Sequence, residues 1–142
     1  MKKDARHRAR EAALQILYHA EIGRSDMRQA IATYFDLQWP DEGPVPEAVR
    51  TFAADLATDT IRQLPVVDPL IADTTERWRP ERMPILDRLI LRMATTELLR
   101  ADSPPPAVVI NEALELARTF STDESVKFIN GMLDAIRKKI ER

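Results

Sequence analysis

Apolar residues recur three and four positions apart along most of the chain, and this spacing is typical of amphipathic α-helices. In the first such segment, residues 4–22, the repeat passes through Ala9, Ala13, Ile16, Leu17 and Ala20. Alternating patterns that would indicate β-strands extend for no more than a few residues. The sequence therefore predicts an all-α protein.

Prolines, glycines and capping residues divide this helical pattern into about seven segments. Pro65 is predicted to end one helix, and Asp68 and Pro69 to start the next as N-cap and first-turn proline. The predicted helices are residues 4–22, 27–37, 47–64, a short one starting at 68–69, 85–100, one after the prolines at 104–106, and one after a capping box at 121–124.

The segment 78–84 is the predicted internal boundary, because Pro80 and Pro84 prevent one continuous helix. One domain, residues 1–142, would then comprise an N-terminal helical subdomain, about 1–78, and a C-terminal helical subdomain, about 79–142. The predicted fold class is all-α, with about seven helices in two small helical bundles.

Two residues interrupt the predicted helical faces. Glu97 falls in the apolar stripe of its helix, which predicts a buried, structurally paired carboxylate rather than an active-site acid. Gly131 lies inside the last helix, where glycine costs about 1 kcal/mol relative to alanine. Its presence predicts that another group approaches the backbone closely there.

Composition removes most enzymatic chemistry. The chain has no cysteine and only two histidines, which excludes disulfide frameworks, thiolate zinc sites and cysteine nucleophiles. It contains no glycine-rich phosphate loop, no HExxH pair and no nucleophile-elbow serine. No apolar run approaches the ~18 residues that span a bilayer. We therefore expect a cytoplasmic protein without enzymatic activity, cofactor, metal or membrane association.

Basic charge is concentrated at the two ends of the chain, although the formal net charge is only −2. Residues 1–10 hold five basic residues and one acid, and residues 133–142 hold four basic residues and two acids. Such asymmetry is one sign of nucleic-acid contact, and it also arises where lysine and arginine merely solvate chain ends.

The first predicted helix carries a polar stripe opposite its apolar face. The stripe consists of Arg8, Glu11, Gln15 and Tyr18. Single-stranded RNA is bound by cations that meet phosphates, rings that stack on bases and amides that meet base edges, and the stripe offers all three. The alternative is that Tyr18 packs under the second helix with its hydroxyl in water.

Four segments resemble the NusB family of bacterial transcription antitermination factors. They are RHRAREAALQILY at 6–18, DRLILRMATTEL at 87–98, VINEALELAR at 109–118 and SVKFINGMLD at 125–134. The last two are the most specific, and the resemblance covers nearly the whole chain outside residues 24–80.

The resemblance implies a non-enzymatic, all-helical RNA-binding protein. Its implied partners are boxA-type single-stranded RNA, the small-subunit ribosomal protein NusE, and RNA polymerase in an antitermination complex that acts notably on ribosomal RNA operons. The residues implied to bind RNA are Arg6, Arg8, Arg10, Gln15, Tyr18, Phe120, Ser121, Asp123, Ser125 and Lys127. Those implied to bind NusE lie at the start of the 85–100 helix, at Asp87 and its neighbours Arg88 and Leu91.

The pattern of that helix independently favours a protein contact. Leu91 is an apolar residue placed among polar ones, so it could anchor a partner while Asp87 lies at the rim. The alternative is that Leu91 packs against the neighbouring subdomain.

Three positions depart from the family pattern. The family often has a glycine where Ser121 stands, an aromatic residue where Thr96 stands, and a lysine where Ala107 stands. A left-handed turn at Ser121 would cost energy, and Ala107 would remove one phosphate contact.

Two other functions remain open from the sequence. A NusB-like domain also precedes the catalytic domain of some ribosomal RNA methyltransferases, although no cofactor-binding βα pattern is present here. The chain could also be a purely protein-binding helical module whose basic ends bind nothing specific.

Overall fold

Seven α-helices follow one another in the computed structural model, which describes residues 4–74 and 79–141. A π-helical turn, Tyr34–Gln38, follows α2, and a 3-10 turn, Pro80–Arg82, precedes α5. The described residues contain no β-strand, so the all-α prediction is confirmed. The helices are α1 (Ala5–Gly23), α2 (Met27–Thr33), α3 (Glu47–Arg62), α4 (Leu64–Ala72), α5 (Ile85–Leu99), α6 (Pro106–Phe120) and α7 (Asp123–Ile140).

Side-chain caps fix where three of these helices begin. The carboxylates of Asp4 and Asp26 accept hydrogen bonds from backbone N–H groups in the first turns of α1 and α2. Thr122 caps α7 by accepting from the Ser125 N–H at 3.1 Å. The predicted hydroxyl N-cap with acids in the first turn is confirmed, but Glu124 stands at the second helical position, one short of where the reciprocal bond of a capping box requires it.

The predicted start of α4 is also wrong. Pro65 stands in its first turn rather than ending α3, and Pro69 lies inside the helix. Asp68, predicted as the N-cap, instead forms a bidentate ion pair with Arg92 of α5, with N–O distances of 2.9 and 2.8 Å. This pair, together with burial of Val67 and Ile71, offsets the cost of the internal proline.

The chain divides between Asp59 and Thr60 into two compact units, which we call the N-terminal unit and the C-terminal unit. The predicted boundary near residue 78 begins at residues outside the described part. In the N-terminal unit, α1 packs on α2 and on the π-helical turn. The buried face of α1 includes Ala9, Ala13, Leu14, Ile16 and Leu17.

In the C-terminal unit, α5, α6 and α7 pack against one another in all three pairs, and α4 packs on α5 and α7. The core formed there consists of branched and unbranched aliphatic side chains. Its largest fully buried members are Ile71, Leu89, Ile90, Leu91, Met93, Leu116, Ile129 and Leu133.

Single residues depart from the predicted faces. Ile61 and Phe128 fall on the apolar stripes of α3 and α7, and both are exposed. Among the described residues no atom lies within 4 Å of a Cβ built on Gly131, so this part of the chain does not make the predicted close approach to its backbone. Glu97 is buried as predicted. None of the helices in the described ranges is long and apolar enough to cross a membrane.

Candidate nucleic-acid interface

Arg6 and Arg10, one turn apart on α1, both lie over the ring of Phe52 from α3. The Arg6 guanidinium carbon is 4.3 Å from the ring centroid and that of Arg10 is 5.2 Å from it. The two residues differ in accessibility, because Arg6 is exposed whereas Arg10 is only 3% exposed. Arg6 can therefore reach a phosphate directly, and Arg10 has almost no surface to offer one.

Arg8 is held by three groups. Its guanidinium donates to Glu11 at 2.9 Å, forms an ion pair with Asp41, and lies 5.4 Å from the ring centroid of Trp39. Burial acts to lower the pKa of Arg8, but the hydrogen bonds to Asp41 and Glu11 more than offset it and raise the pKa above its ordinary value. Arg8 is therefore a fixed cation whose charge is already balanced within the protein.

The rest of the polar stripe on α1 is partly covered. Glu11 is buried beside Arg8 and His7, with 3.5 Å between His7 Nε2 and a Glu11 oxygen. Gln15 and Tyr18 are both half-buried. The ring of Tyr18 meets that of His19 edge to face, with 5.9 Å between centroids. Tyr18 thus keeps some accessible surface, which is compatible both with stacking on a base and with packing that leaves the hydroxyl in water.

In the C-terminal unit, the loop between α6 and α7 is tied to the start of α5. The hydroxyls of Ser121 and Ser125 donate to the two carboxylate oxygens of Asp87, at 2.6 and 2.5 Å. Short hydrogen bonds to an ionised carboxylate are among the strong ones in proteins. They fix the loop between α6 and α7, next to which the predicted RNA residues of the end of α6 and the start of α7 lie. Phe120 and Ser121 are half-buried, Ser125 is buried, and Asp123 and Lys127 are exposed.

The structure shows the surroundings of two positions that depart from the family pattern, Ser121 and Ala107. Ser121 has φ −136° and ψ −150°, which is extended backbone. Because no left-handed turn occurs at this residue, the expected cost of replacing glycine there is absent. Ala107 is exposed at the start of α6.

The predicted partner surface on α5 is largely inaccessible. Leu91 is 0% exposed, so the expectation that it forms an exposed anchor is wrong. Asp87 is only 4% exposed and is bonded to the two serines, so it is not a rim charge. Arg88 is half-buried. Helical projection missed this because it gives the face on which a residue lies but not what covers that face.

Four residues near the predicted groups were not singled out from the sequence. They are Trp39, Asp41, Phe52 and Phe128. The proline-rich stretch around Trp39 was interpreted only as a connection, although an aromatic residue and an acid two positions apart could have indicated a partner for the arginines. Phe128 follows Lys127, and its exposed ring would be a stacking surface beside a cation.

Two expectations from the sequence, the basic N-terminal segment and the absence of a metal site, depend on which residues the structure describes. Lys2 and Lys3, part of the basic N-terminal segment, fall outside the described residues. Within residues 4–74 and 79–141, no cluster of three histidine, aspartate or glutamate side chains could hold a metal ion.

Known proteins resemble this chain over nearly its whole length. The NusB family model matches residues 7–138. The transcription antitermination protein NusB of Solibacter usitatus (strain Ellin6076) is 46% identical over 96% of this chain and 90% of its own, which leaves no room in that relative for a methyltransferase domain. The structure of T. maritima NusB has a TM-score of 0.83 at 34% identity, covering 98% of this chain and 94% of that one.

A crystal structure described as antitermination factors NusB and NusE in complex with dsRNA has the same fold. Its TM-score is 0.83 at 21% identity, and it covers 95% of this chain and 97% of that one. The family model and the relatives above 30% identity decide the assignment. The chain belongs to the NusB family and is a transcription antitermination factor rather than an enzyme.

Proposed function

We propose that this protein binds boxA-type single-stranded RNA together with NusE, and that it joins RNA polymerase in an antitermination complex in the cytoplasm, notably on ribosomal RNA operons. The observation that carries the proposal is the set of arginines and aromatic rings at the start of α1. The structure of NusB and NusE in complex with dsRNA supports NusE and an RNA as partners. The choice of a single-stranded, boxA-type RNA rests on the family resemblance and on these arginines and rings.

In the N-terminal unit, each chemical requirement of single-stranded RNA has its own residue. Arg6 is exposed and meets a phosphate, while Gln15 offers an amide to a base edge. The ring of Tyr18, which is half-buried, stacks on a base. Arg10 contributes indirectly, because it packs on the ring that also carries Arg6. Arg8 contributes a second phosphate contact.

In the C-terminal unit, the α6–α7 loop is the second RNA-contacting group. Lys127 is an exposed cation, and Phe120 and Asp123 offer a ring and an acceptor. Ser121 and Ser125 donate to Asp87, so their role in binding is to hold the loop in shape. Rigid placement of the loop lowers the entropy lost when RNA binds.

For NusE, we propose the start of α5, which is the contact that the family resemblance implies. Of its three predicted residues, Arg88 is the one with appreciable accessible surface. Leu91 and Asp87 stabilise that surface without being exposed. Leu91 packs in the core, and Asp87 bonds to the α6–α7 loop. Partner binding and RNA binding would thus meet at Asp87.

Fluorescence anisotropy tests the proposal most directly. A labelled boxA-type RNA and a scrambled RNA of equal length are titrated with the protein, in the presence and absence of NusE. Preference for the boxA-type RNA, strengthened by NusE, is the expected result. Equal weak binding of both RNAs together with tight NusE binding would instead identify a protein-binding helical module.

Tyr18 gives this proposal a residue-level test. If its ring stacks on a base, Tyr18→Ala should weaken RNA binding by about 1–3 kcal/mol, and Tyr18→Phe, which keeps the ring, should weaken it much less. Thermal unfolding of the same preparations is the control. An alanine variant that loses stability but keeps its RNA affinity per folded molecule would show that Tyr18 is a packing residue.

A further inference from the structure

Arg8 forms an ion pair with a carboxylate from a distant part of the chain. Asp41 lies 33 residues away, in the irregular segment between the π-helical turn and α3. Its carboxylate pairs with one terminal guanidinium nitrogen of Arg8, while Glu11, three residues along α1, takes the other. Trp39, from the same segment as Asp41, places its ring beside the guanidinium.

The two carboxylates differ in how firmly they are held. The side chain of Glu11 is 7% exposed and sits on the same helix as Arg8, whereas that of Asp41 is 52% exposed and sits on a loop. Exposed ion pairs contribute little to stability, so moving Asp41 into water costs little. Glu11 would stay with Arg8 when Asp41 leaves.

We propose that Asp41 occupies the position of an RNA phosphate on Arg8, and that RNA binds there by displacing it. This inference rests on the RNA binding proposed above and adds the residue that competes with the RNA. A phosphodiester, like a carboxylate, offers anionic oxygens to a guanidinium fork. Because Arg8 exchanges one anion for another, Asp41 lowers the affinity of the protein for RNA.

Charge-matched variants test the competition. Asp41→Asn removes the competing anion, and Glu42→Gln removes the same charge from the neighbouring exposed residue as a control. We expect Asp41→Asn to bind boxA-type RNA about threefold more tightly at moderate salt, and Glu42→Gln to change affinity by less. Melting temperatures of both variants establish that they are folded.

Arg8 itself provides the second half of the test. In an Arg8→Gln background, adding Asp41→Asn should give no further gain in RNA affinity. The Asp41 carboxylate and the RNA phosphate then have no guanidinium for which to compete. An equal gain from Glu42→Gln, a gain that persists without Arg8, or a loss of affinity in Asp41→Asn would each overturn the proposal. The last result would mean that Asp41 orients Arg8 for RNA.

An experiment without RNA tests this inference separately from the proposed function. Inorganic pyrophosphate is titrated while the indole N–H resonance of Trp39, assigned by comparison with Trp39→Phe, is followed by NMR. We expect the resonance to shift at lower pyrophosphate concentration in Asp41→Asn than in the wild-type protein. Equal titration midpoints would overturn the anion competition even if RNA binds. A wild-type protein that binds pyrophosphate here but no RNA would instead refute the proposed function.

Discussion

Arginines of the same helix have different tasks because of what surrounds each side chain. Arg10 is buried over Phe52, whereas Arg6 lies over the same ring and is exposed. A buried arginine stabilises through the packing of its stem and through its contact with the ring, and an exposed one does so much less. Identical charge on one helix face therefore does not imply identical function.

We expect Arg10→Ala to lower the free energy of unfolding by about 1–3 kcal/mol, and Arg6→Ala to lower it by less than about 0.5 kcal/mol. Urea denaturation of the two variants measures this. RNA affinity per folded molecule should show the reverse order, with Arg6→Ala the weaker binder. Equal, small changes in stability would show that the contact of Arg10 with Phe52 contributes little.

The residue scale is also where the sequence predicts least. Periodicity placed Ala9, Ala13 and Ile16 in the core correctly, because a helix face is a local property. It could not pair Arg8 with Asp41, because the pairing depends on how a loop of prolines folds back onto α1. It also missed the burial of Arg10, since charge alone indicates solvent exposure.

At the scale of elements, Asp87 joins the start of α5 to the loop before α7. Its two carboxylate oxygens accept from Ser121 and Ser125, and Ser125 is also held by the Thr122 cap. The residues predicted from the sequence as a partner site and as an RNA site are therefore parts of one hydrogen-bonded group. A change at Asp87 should reach the loop.

We expect Asp87→Ala to lower the free energy of unfolding by about 2 kcal/mol, because it leaves two hydroxyls without their charged acceptor. RNA affinity should fall as well, since the loop loses its fixed shape. Asp102→Asn, at an exposed turn of the same unit, is the control and should change stability by less than about 0.5 kcal/mol. Unaltered RNA affinity in a folded Asp87→Ala protein would show that the loop keeps its conformation without this carboxylate.

The predicted bounds of α1, α3 and α5 and the predicted starts of α2, α6 and α7 lie close to those observed, because proline, glycine and capping residues act locally. α4 could not be predicted in this way, because Pro69 is tolerated inside it through the ion pair of Asp68 with Arg92, a contact between two helices. The π-helical turn at Tyr34–Gln38 was likewise read as a continuation of α2, since its burial of Tyr34 and Phe35 fits the same periodicity. Sequence therefore located the elements better than their interactions.

At the scale of the whole molecule, the net charge of −2 does not show how many cations lie where the RNA is proposed to bind. The candidates from the sequence are Lys2, Lys3, Arg6, Arg8, Arg10 and Lys127. Arg10 is too buried to contact a phosphate directly. Arg8 remains a candidate, because a phosphate is proposed to replace Asp41 as its partner. About four phosphate contacts remain a reasonable total for these groups.

Salt dependence of RNA binding counts those contacts. Each phosphate neutralised on a single strand contributes about −0.7 to the slope of log K against log salt, so about four contacts give a slope near −3. Arg6→Ala should reduce the steepness by about 0.7, whereas Arg10→Ala, whose side chain is buried, should leave the slope unchanged and affect only the folded fraction. The measurement is anisotropy across a potassium chloride series between about 50 and 200 mM. If the affinity of the wild-type protein did not change with salt, phosphate binding by these residues would be contradicted. An equal loss of slope in Arg6→Ala and Arg10→Ala would show that Arg10 becomes exposed and meets a phosphate when RNA binds.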